Sequence, residues 1–203
     1  NIAGESLRYA SSGKNEPLIY DKLSIYTAVP GEDRKSYNPN VLVDTIVKNN
    51  TEIYSERDLK VKVYRADVDS KKFSNESSII TLLSYKNFDM IFMGDAGVQT
   101  FYDVKDYIPS NIEVLKVGHH GGPKVVDKNM LEYLGNEVSI ISTGLNYFGH
   151  PNKGTLDLLR KTDVYRTDLM HSIKISSDGN EYKIYSYNPH DKIYENKGRY
   201  LAK

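Results

Sequence analysis

Three short polar stretches carry groups able to bind a metal, hold a phosphate or move a proton, and each follows a compact apolar run. Gly94-Asp95 follows Phe88, Met90, Ile91, Phe92 and Met93; Gly118-His119-His120-Gly121-Gly122 follows Val114, Leu115 and Val117; Gly144 and Asn146-Tyr147-Phe148-Gly149-His150-Pro151 follow Val138, Ile140 and Ile141. Apolar runs this short, stopped by glycine, read as buried strands. Strands that end together would release Asp95, His119, His120, Asn146 and His150 at one rim of a sheet, where α/β folds commonly place ligands. A carboxylate and imidazoles there suit metal-assisted hydrolysis: a divalent ion lowers the pKa of bound water and polarises a phosphoryl or carbonyl oxygen.

Each group also has a second reading. Asp95, leaving a strand beside glycine, either bridges two divalent cations or caps the helix that follows. His119 and His120 are neighbours, so on a strand they point to opposite faces; one would be a ligand and the other would orient it, transfer a proton or pack. Asn146, Tyr147 and His150 precede a turn into a helix whose N-terminus can hold an anion such as phosphate, the alternative being a capped loop. The chain has no cysteine, which restricts a transition-metal site to imidazole, carboxylate and water and leaves zinc and manganese both open.

The 203 residues suffice for one sizeable domain, with or without an appendage. Basic and acidic residues balance at 27 each, so no global field recruits nucleic acid or an anionic membrane. The Lys60, Lys62, Arg65 alternation reads as a solvated strand face. With neither a long apolar run nor a secretory leader pattern, the chain is expected to be soluble, in a compartment that composition leaves open. It begins at Asn1 rather than methionine, which leaves room for residues upstream.

The elements expected to position these groups alternate in the second half. A strand over Leu23–Val29 ends at Pro30-Gly31, and Val41, Leu42, Ile46 and Val47 fit a short amphipathic helix. Leu59 to Val68 reads as a strand with one wet face, and Ile79–Tyr85 with Phe88–Met93 as a hairpin turning at Lys86-Asn87. Helices are expected over Val98–Tyr107, after an Asp127 cap and up to Gly135, and over Gly154–Lys161 after an Asn152 cap. Strands follow at Val164–Arg166, at Ile173 and Ile175, and at Tyr182–Tyr187 beyond a turn at Asp178-Gly179-Asn180, with a surface strand or extension in the tail. The pattern predicts α/β with a mixed sheet: residues 1–74 as an N-terminal strand/helix segment of the same fold, and 75–203 as the part that carries the chemistry.

Asn75-Glu76-Ser77-Ser78, Met93-Gly94-Asp95, Leu115-Lys116-Val117-Gly118-His119-His120-Gly121, Ser142-Thr143-Gly144 with Asn146 to Pro151, and Val164-Tyr165-Arg166-Thr167-Asp168 together resemble, in order and approximate spacing, the metallo-β-lactamase-like domain of ComEC-type DNA-uptake proteins. The likeness runs over roughly residues 75 to 187. It implies an αββα sandwich of which this chain covers mainly the C-terminal part, with metal at one edge. It implies that Asp95 bridges zinc or manganese ions, that the His119-His120 pair supplies a further ligand, and that Asn146 and His150 assist phosphate binding or proton transfer. Gly144, Tyr147, Thr167 and Asp168 would lie near the substrate. The implied activity is phosphodiester hydrolysis, with DNA or another phosphodiester as partner. The family's His-x-His-x-Asp-His motif should lie upstream of Asn75, yet no histidine precedes His119; that half is either missing from this chain or lost in this protein. Residues 31–74 read as an insertion, Gly122 stands where the family often has serine, and His171 where glycine is usual. The alternative is a binding module that keeps the fold without the activity.

Overall fold

In the computed structural model, residues 49–66 and 75–203 are described, together with the backbone of two short strands, β1 (Tyr26–Thr27) and β2 (Thr45–Ile46). These two pair in parallel. Ile46 therefore sits in a strand and not in the helix expected over Val41–Val47; the rest of that helix, and of the strand expected over Leu23–Val29, lies outside the described residues. The neighbours Thr45 and Ile46 are both β-branched, which favours the extended form.

Seven strands form the main sheet, in sequence order across it: β3 (Thr51–Glu56), β4 (Leu59–Tyr64), β5 (Ile80–Tyr85), β6 (Phe88–Phe92), β7 (Val114–Lys116), β8 (Val138–Ile141) and β9 (Asp163–Arg166). The first four run antiparallel through tight turns, with Arg57 and Lys86 at positive φ as two-residue hairpins require. The last four run parallel, and each crossover carries a helix: α1 (Val98–Val104), α2 (Lys128–Leu134) and α3 (Lys153–Leu158). Strand β4 lies beside β5, so the sheet is continuous across residue 74. Edge strand β3 was not anticipated; Thr-Glu-Ile-Tyr-Ser-Glu is mostly polar and mostly exposed, as an unprotected edge tolerates.

The helices end where their caps say. Asp127 accepts from the Met130 amide at 2.7 Å, Asn152 accepts from the Gly154 amide at 2.9 Å, and Gly135 closes α2 at φ 58°.

Alternation along β6 explains its unbroken apolar run. Ile91 and Met93 join Leu115, Val117, Ile141 and the helix residues Phe101, Met130, Leu134 and Leu159 in one core. Phe88 and Met90 join Val114, Val138, Ile140 and Tyr165 in a second core against Tyr182 and Ile184. Those two belong to an antiparallel sheet of β10 (Ile173–Ser177), β11 (Glu181–Asn188) and β12 (Ile193–Leu201), reached through a short helix α4 (Thr167–Met170). Helices cover one face of the main sheet and the small sheet the other, so its central strands are apolar on both sides. The chain is thus mixed α/β in three layers; the fourth layer of an αββα sandwich is not among the described residues. No helix among them is long and apolar enough to cross a membrane.

Candidate functional site

The parallel strands β6, β7, β8 and β9 end side by side, and the turns that follow them are bonded into one rim. At the end of β6 the chain reverses through Gly94 at φ 58°, and the Gly94 carbonyl accepts from the His119 amide at 2.9 Å. That approach requires glycine at 118: a Cβ there would run into the Ala96 carbonyl. The next loop docks on the same turn. A Cβ on Gly121, at φ 76°, would lie 2.9 Å from Pro151, and one on Gly122 would lie 3.1 Å from the His150 ring. The Asn152 amide donates to the Gly121 carbonyl at 2.8 Å and the Thr155 hydroxyl to the Gly122 carbonyl at 2.7 Å. Gly122, where the resemblance leads one to expect serine, leaves room for the imidazole of His150.

Three imidazoles meet there. His119 and His150 have ring centroids 5.2 Å apart, and His119 and His120 are 6.2 Å apart. The two neighbouring histidines are not on a strand: both have positive φ in a 3-10 turn (His119–Gly121), so the expectation of opposite sheet faces does not apply. Each has its own anchor. The Nδ1 of His120 lies 2.8 Å from the Ser142 carbonyl. A carbonyl only accepts, so Nδ1 carries the proton and the neutral ring keeps a lone pair on Nε2, on an exposed side chain. The Nδ1 of His119 accepts from the Asn75 side-chain amide at 2.9 Å. His150 is half-buried, and its Nδ1 is enclosed without a hydrogen-bond partner among the described residues. Burial above all, with the neighbouring His119 and His120 adding to it, holds the His150 imidazole below its ordinary pKa.

Asn146 is the brace of its loop. Its amide nitrogen donates to the Gly144 carbonyl at 2.8 Å and the His150 carbonyl at 2.7 Å, while its oxygen accepts from the Phe148 and His150 amides, both at 3.1 Å. This side chain positions His150 and has its own polar atoms engaged. Gly144 is open, with nothing within 4 Å of a Cβ built on it, and Tyr147 is fully exposed. The Thr167 hydroxyl takes both polar groups of Thr143, accepting from its amide at 2.8 Å and donating to its carbonyl at 2.7 Å. Asp168 is held by Arg166 through two bonds of 3.1 and 2.6 Å. That guanidinium keeps its carboxyl below the usual range.

Asp95 is half-buried on the Gly94 turn, its amide donating to the Ser78 hydroxyl at 3.2 Å. It does not cap α1, whose N-cap is Gly97 without a side-chain bond. Instead Glu76 lies over that helix start, accepting from the Thr100 hydroxyl and packing against Gly97. At the N-terminus of α3 the Asn152 side chain accepts from the Gly154 amide, the cap that was the alternative to an anion site. Asn75 is the site residue that sequence reasoning left without a role. It stands 44 residues before His119, and no local spacing announces the bond.

For zinc or manganese the donors are right in kind, carboxylate and imidazole. They are too few: among the described residues no three His, Asp or Glu side chains are grouped to hold a metal ion. The residues in hand therefore do not make a metal centre by themselves. A largely apolar cleft of about 610 Å³ opens between β5–β6 and β10 and reaches the rim at Lys116, Ser142 and Thr167.

No family model matches the chain. Over 116 residues, 55% of this chain, it is 29% identical to ComE operon protein 3 of Bacillus subtilis (strain 168), of whose length the matched stretch covers 15%. That partial likeness supports a relationship between this chain and a short part of a much longer protein.

Proposed function

We propose that this chain is part of a phosphodiester hydrolase acting on DNA, in a competence-related protein akin to ComE operon protein 3, and that its rim handles the phosphate. The observation that carries the reading is the meeting of His119, His120 and His150 beside the Gly94-Asp95 turn, at the finishing ends of parallel strands. His150, disfavoured as a cation, is neutral at physiological pH and can take a proton. His119, oriented by the Asn75 side-chain amide that lies 2.9 Å from its Nδ1 and 3.4 Å from its Nε2, is a second imidazole able to contact a phosphate oxygen. Asn146 keeps His150 in place while a substrate binds. Zinc or manganese would supply a hydroxide nucleophile, and the donor count leaves its principal ligands to residues outside the described set. That same count favours a second reading, a module that binds the phosphodiester without cleaving it.

The test is hydrolysis of a labelled oligonucleotide by the full-length protein with zinc, with manganese and with chelator. Removing Asp95 or His150 as alanine is expected to lower the rate at least ~100-fold, as the loss of a metal-bridging carboxylate or of a general base would. Wild-type rates in both variants would end the hydrolase reading, and binding without turnover would select the second.

A further inference from the structure

We infer that the outer face of the small sheet, at the end that joins the rim, is a landing surface for single-stranded nucleic acid; the inference rests on the phosphodiester reading and names its substrate class. Tyr182, Ile184 and Ser186 of β11 are buried on the side of the main sheet, so the alternate positions Glu181, Lys183, Tyr185 and Tyr187 face away from it. Register sets Lys174 of β10 beside Tyr185, and Tyr194 of β12 beside Tyr187. The Lys174 ammonium lies 5.4 Å from the centre of the Tyr185 ring and 5.7 Å from that of Tyr194, and the Tyr187 and Tyr194 rings are 5.4 Å apart. Three rings thus gather about one cation on a face that solvent reaches, Lys174 and Tyr194 being exposed. The core draws on the other face of this sheet, through Tyr182 and Ile184. The patch belongs to the rim end: β10 follows β9 through α4, and the Tyr187 amide donates to the Ser172 carbonyl at 2.9 Å, just ahead of β10.

Charge and ring chemistry select the partner. Arg199 is in register with Lys183 and shares its face. Both are held by Glu181 at the far end of β11, Lys183 at 3.1 Å and the Arg199 Nε at 2.9 Å. Lys174 makes no ion pair among the described residues, and its contacts there are the two rings. Glu195 is in register with the buried Ser186, which places it on the inner face and away from Lys174. An ammonium among rings lacks a counter-anion. A phosphate supplies one while the base it carries stacks on a ring. An acidic peptide would bring the anion without the flat face, and a duplex would bring phosphates with its bases already stacked on one another.

The experiment is fluorescence anisotropy of a fluorescein-labelled phosphorothioate oligo(dT) with the full-length protein in chelator, where nothing is cleaved, over a series of salt concentrations. Tyr194→Leu keeps the apolar bulk and loses the flat face; it is expected to weaken binding about tenfold. Lys174→Gln removes one phosphate contact and is expected to lower the slope of log affinity against log salt by about 0.7. Both side chains are exposed, so neither change is expected to move the denaturant midpoint. Wild-type affinity in Tyr194→Leu overturns the inference, and so does a wild-type slope in Lys174→Gln or equal affinity for a matched duplex. Displacement of the oligonucleotide by polyglutamate of equal charge overturns it too and assigns the face to an acidic protein. A protein that binds single strands through this face but hydrolyses none refutes the hydrolase and keeps the inference; one that hydrolyses while both variants bind normally does the reverse.

Discussion

The two ends of the parallel strands put their polar groups to different uses. Where the strands start, Asp89, Glu113, Glu137 and Asp163 stand in a row, and the Glu113 amide donates to the Asp89 carbonyl at 3.2 Å, Glu137 to Glu113 at 3.2 Å and Asp163 to Glu137 at 2.8 Å. The Glu113 side chain, 1% exposed in its residue, accepts from the Asp89 amide at 2.7 Å and the Lys203 amide at 3.0 Å. Tyr200 donates to Asp163 at 2.7 Å. Where the strands finish, the His150 Nδ1 is unpartnered among the described residues, and Tyr147 and Phe148 stand in solvent. Polar burial at the start ties strands and the C-terminal residues into register. At the finish the His150 Nδ1 and two exposed rings are left unmatched among the described residues, while at the start the unmatched buried atom is the Asn136 Oδ1, whose own amide nitrogen bonds the Val138 carbonyl and the Ser139 hydroxyl.

The largest effect should come from cutting the first end. Glu113→Ala leaves two amides without their acceptor and is expected to lower unfolding free energy by about 2 kcal/mol, read from the denaturant midpoint. His150→Ala, on the rim, should cost less, about 1 kcal/mol, and on the proposed hydrolase reading should lower turnover at least ~100-fold. Equal losses at the two sites would show that the ends do not differ in kind and that His150 is a structural histidine.

How far this contrast was legible in the sequence depends on the range of the interactions. The strands β6, β7 and β8 were legible because both their faces are buried, so each is a plain apolar run stopped by glycine. Asp127, Gly135 and Asn152 were legible because capping is settled within four residues. β3 was not, since an edge strand with Thr, Glu and Ser at most positions has no periodic signature. The Val41–Val47 pattern resembled a helix, and at Thr45–Ile46 pairing with β1 prevailed. The meeting of the imidazoles followed from the expected convergence of strand ends. Their anchors did not: the bond from Asn75 and the positive φ of His119 and His120 are set by packing between distant turns. The Glu113 ties, one of them spanning 90 residues, were invisible for the same reason.

A smaller effect probes backbone strain near the finishing end. His171, between α4 and β10, has φ 57° and ψ −122°, a region that suits glycine and crowds a side chain. The resemblance places glycine at this position. His171→Gly should raise unfolding free energy by about 1 kcal/mol, the relief of strain exceeding the added freedom of the unfolded chain. His119 and His120 share positive φ, and there the same replacement would remove the imidazole along with the strain. Stabilisation by His171→Gly with unchanged turnover and binding would separate strain that serves the site from strain that merely accompanies it; destabilisation would mean that the imidazole of His171 makes up for its backbone.

The smallest effect is a pH dependence that sets the two ends against each other. Burial, with the charge of Asp89 adding to it, holds the Glu113 carboxyl above its ordinary 4.5, and burial raises Asp89 likewise. The folded chain thus keeps protons that the unfolded chain has released. The stability these groups contribute is complete below about 4 and is lost as pH rises through their raised values. His150 works in the other direction: with its pKa below 6.5, the unfolded chain takes the proton first, and stability falls as pH drops through 6.5 toward the lower folded value. Glu113→Gln removes the Glu113 titration and leaves those of Asp89 and His150. Between pH 4 and 7 the midpoint temperature of wild type should therefore fall relative to that of Glu113→Gln, by a difference on the order of 1–2 °C. The Asp89 and His150 contributions are common to both proteins and cancel in that difference. A difference that stayed flat would mean that Glu113 keeps its charge through folding, with the Asp89 and Lys203 amides offsetting its burial in full.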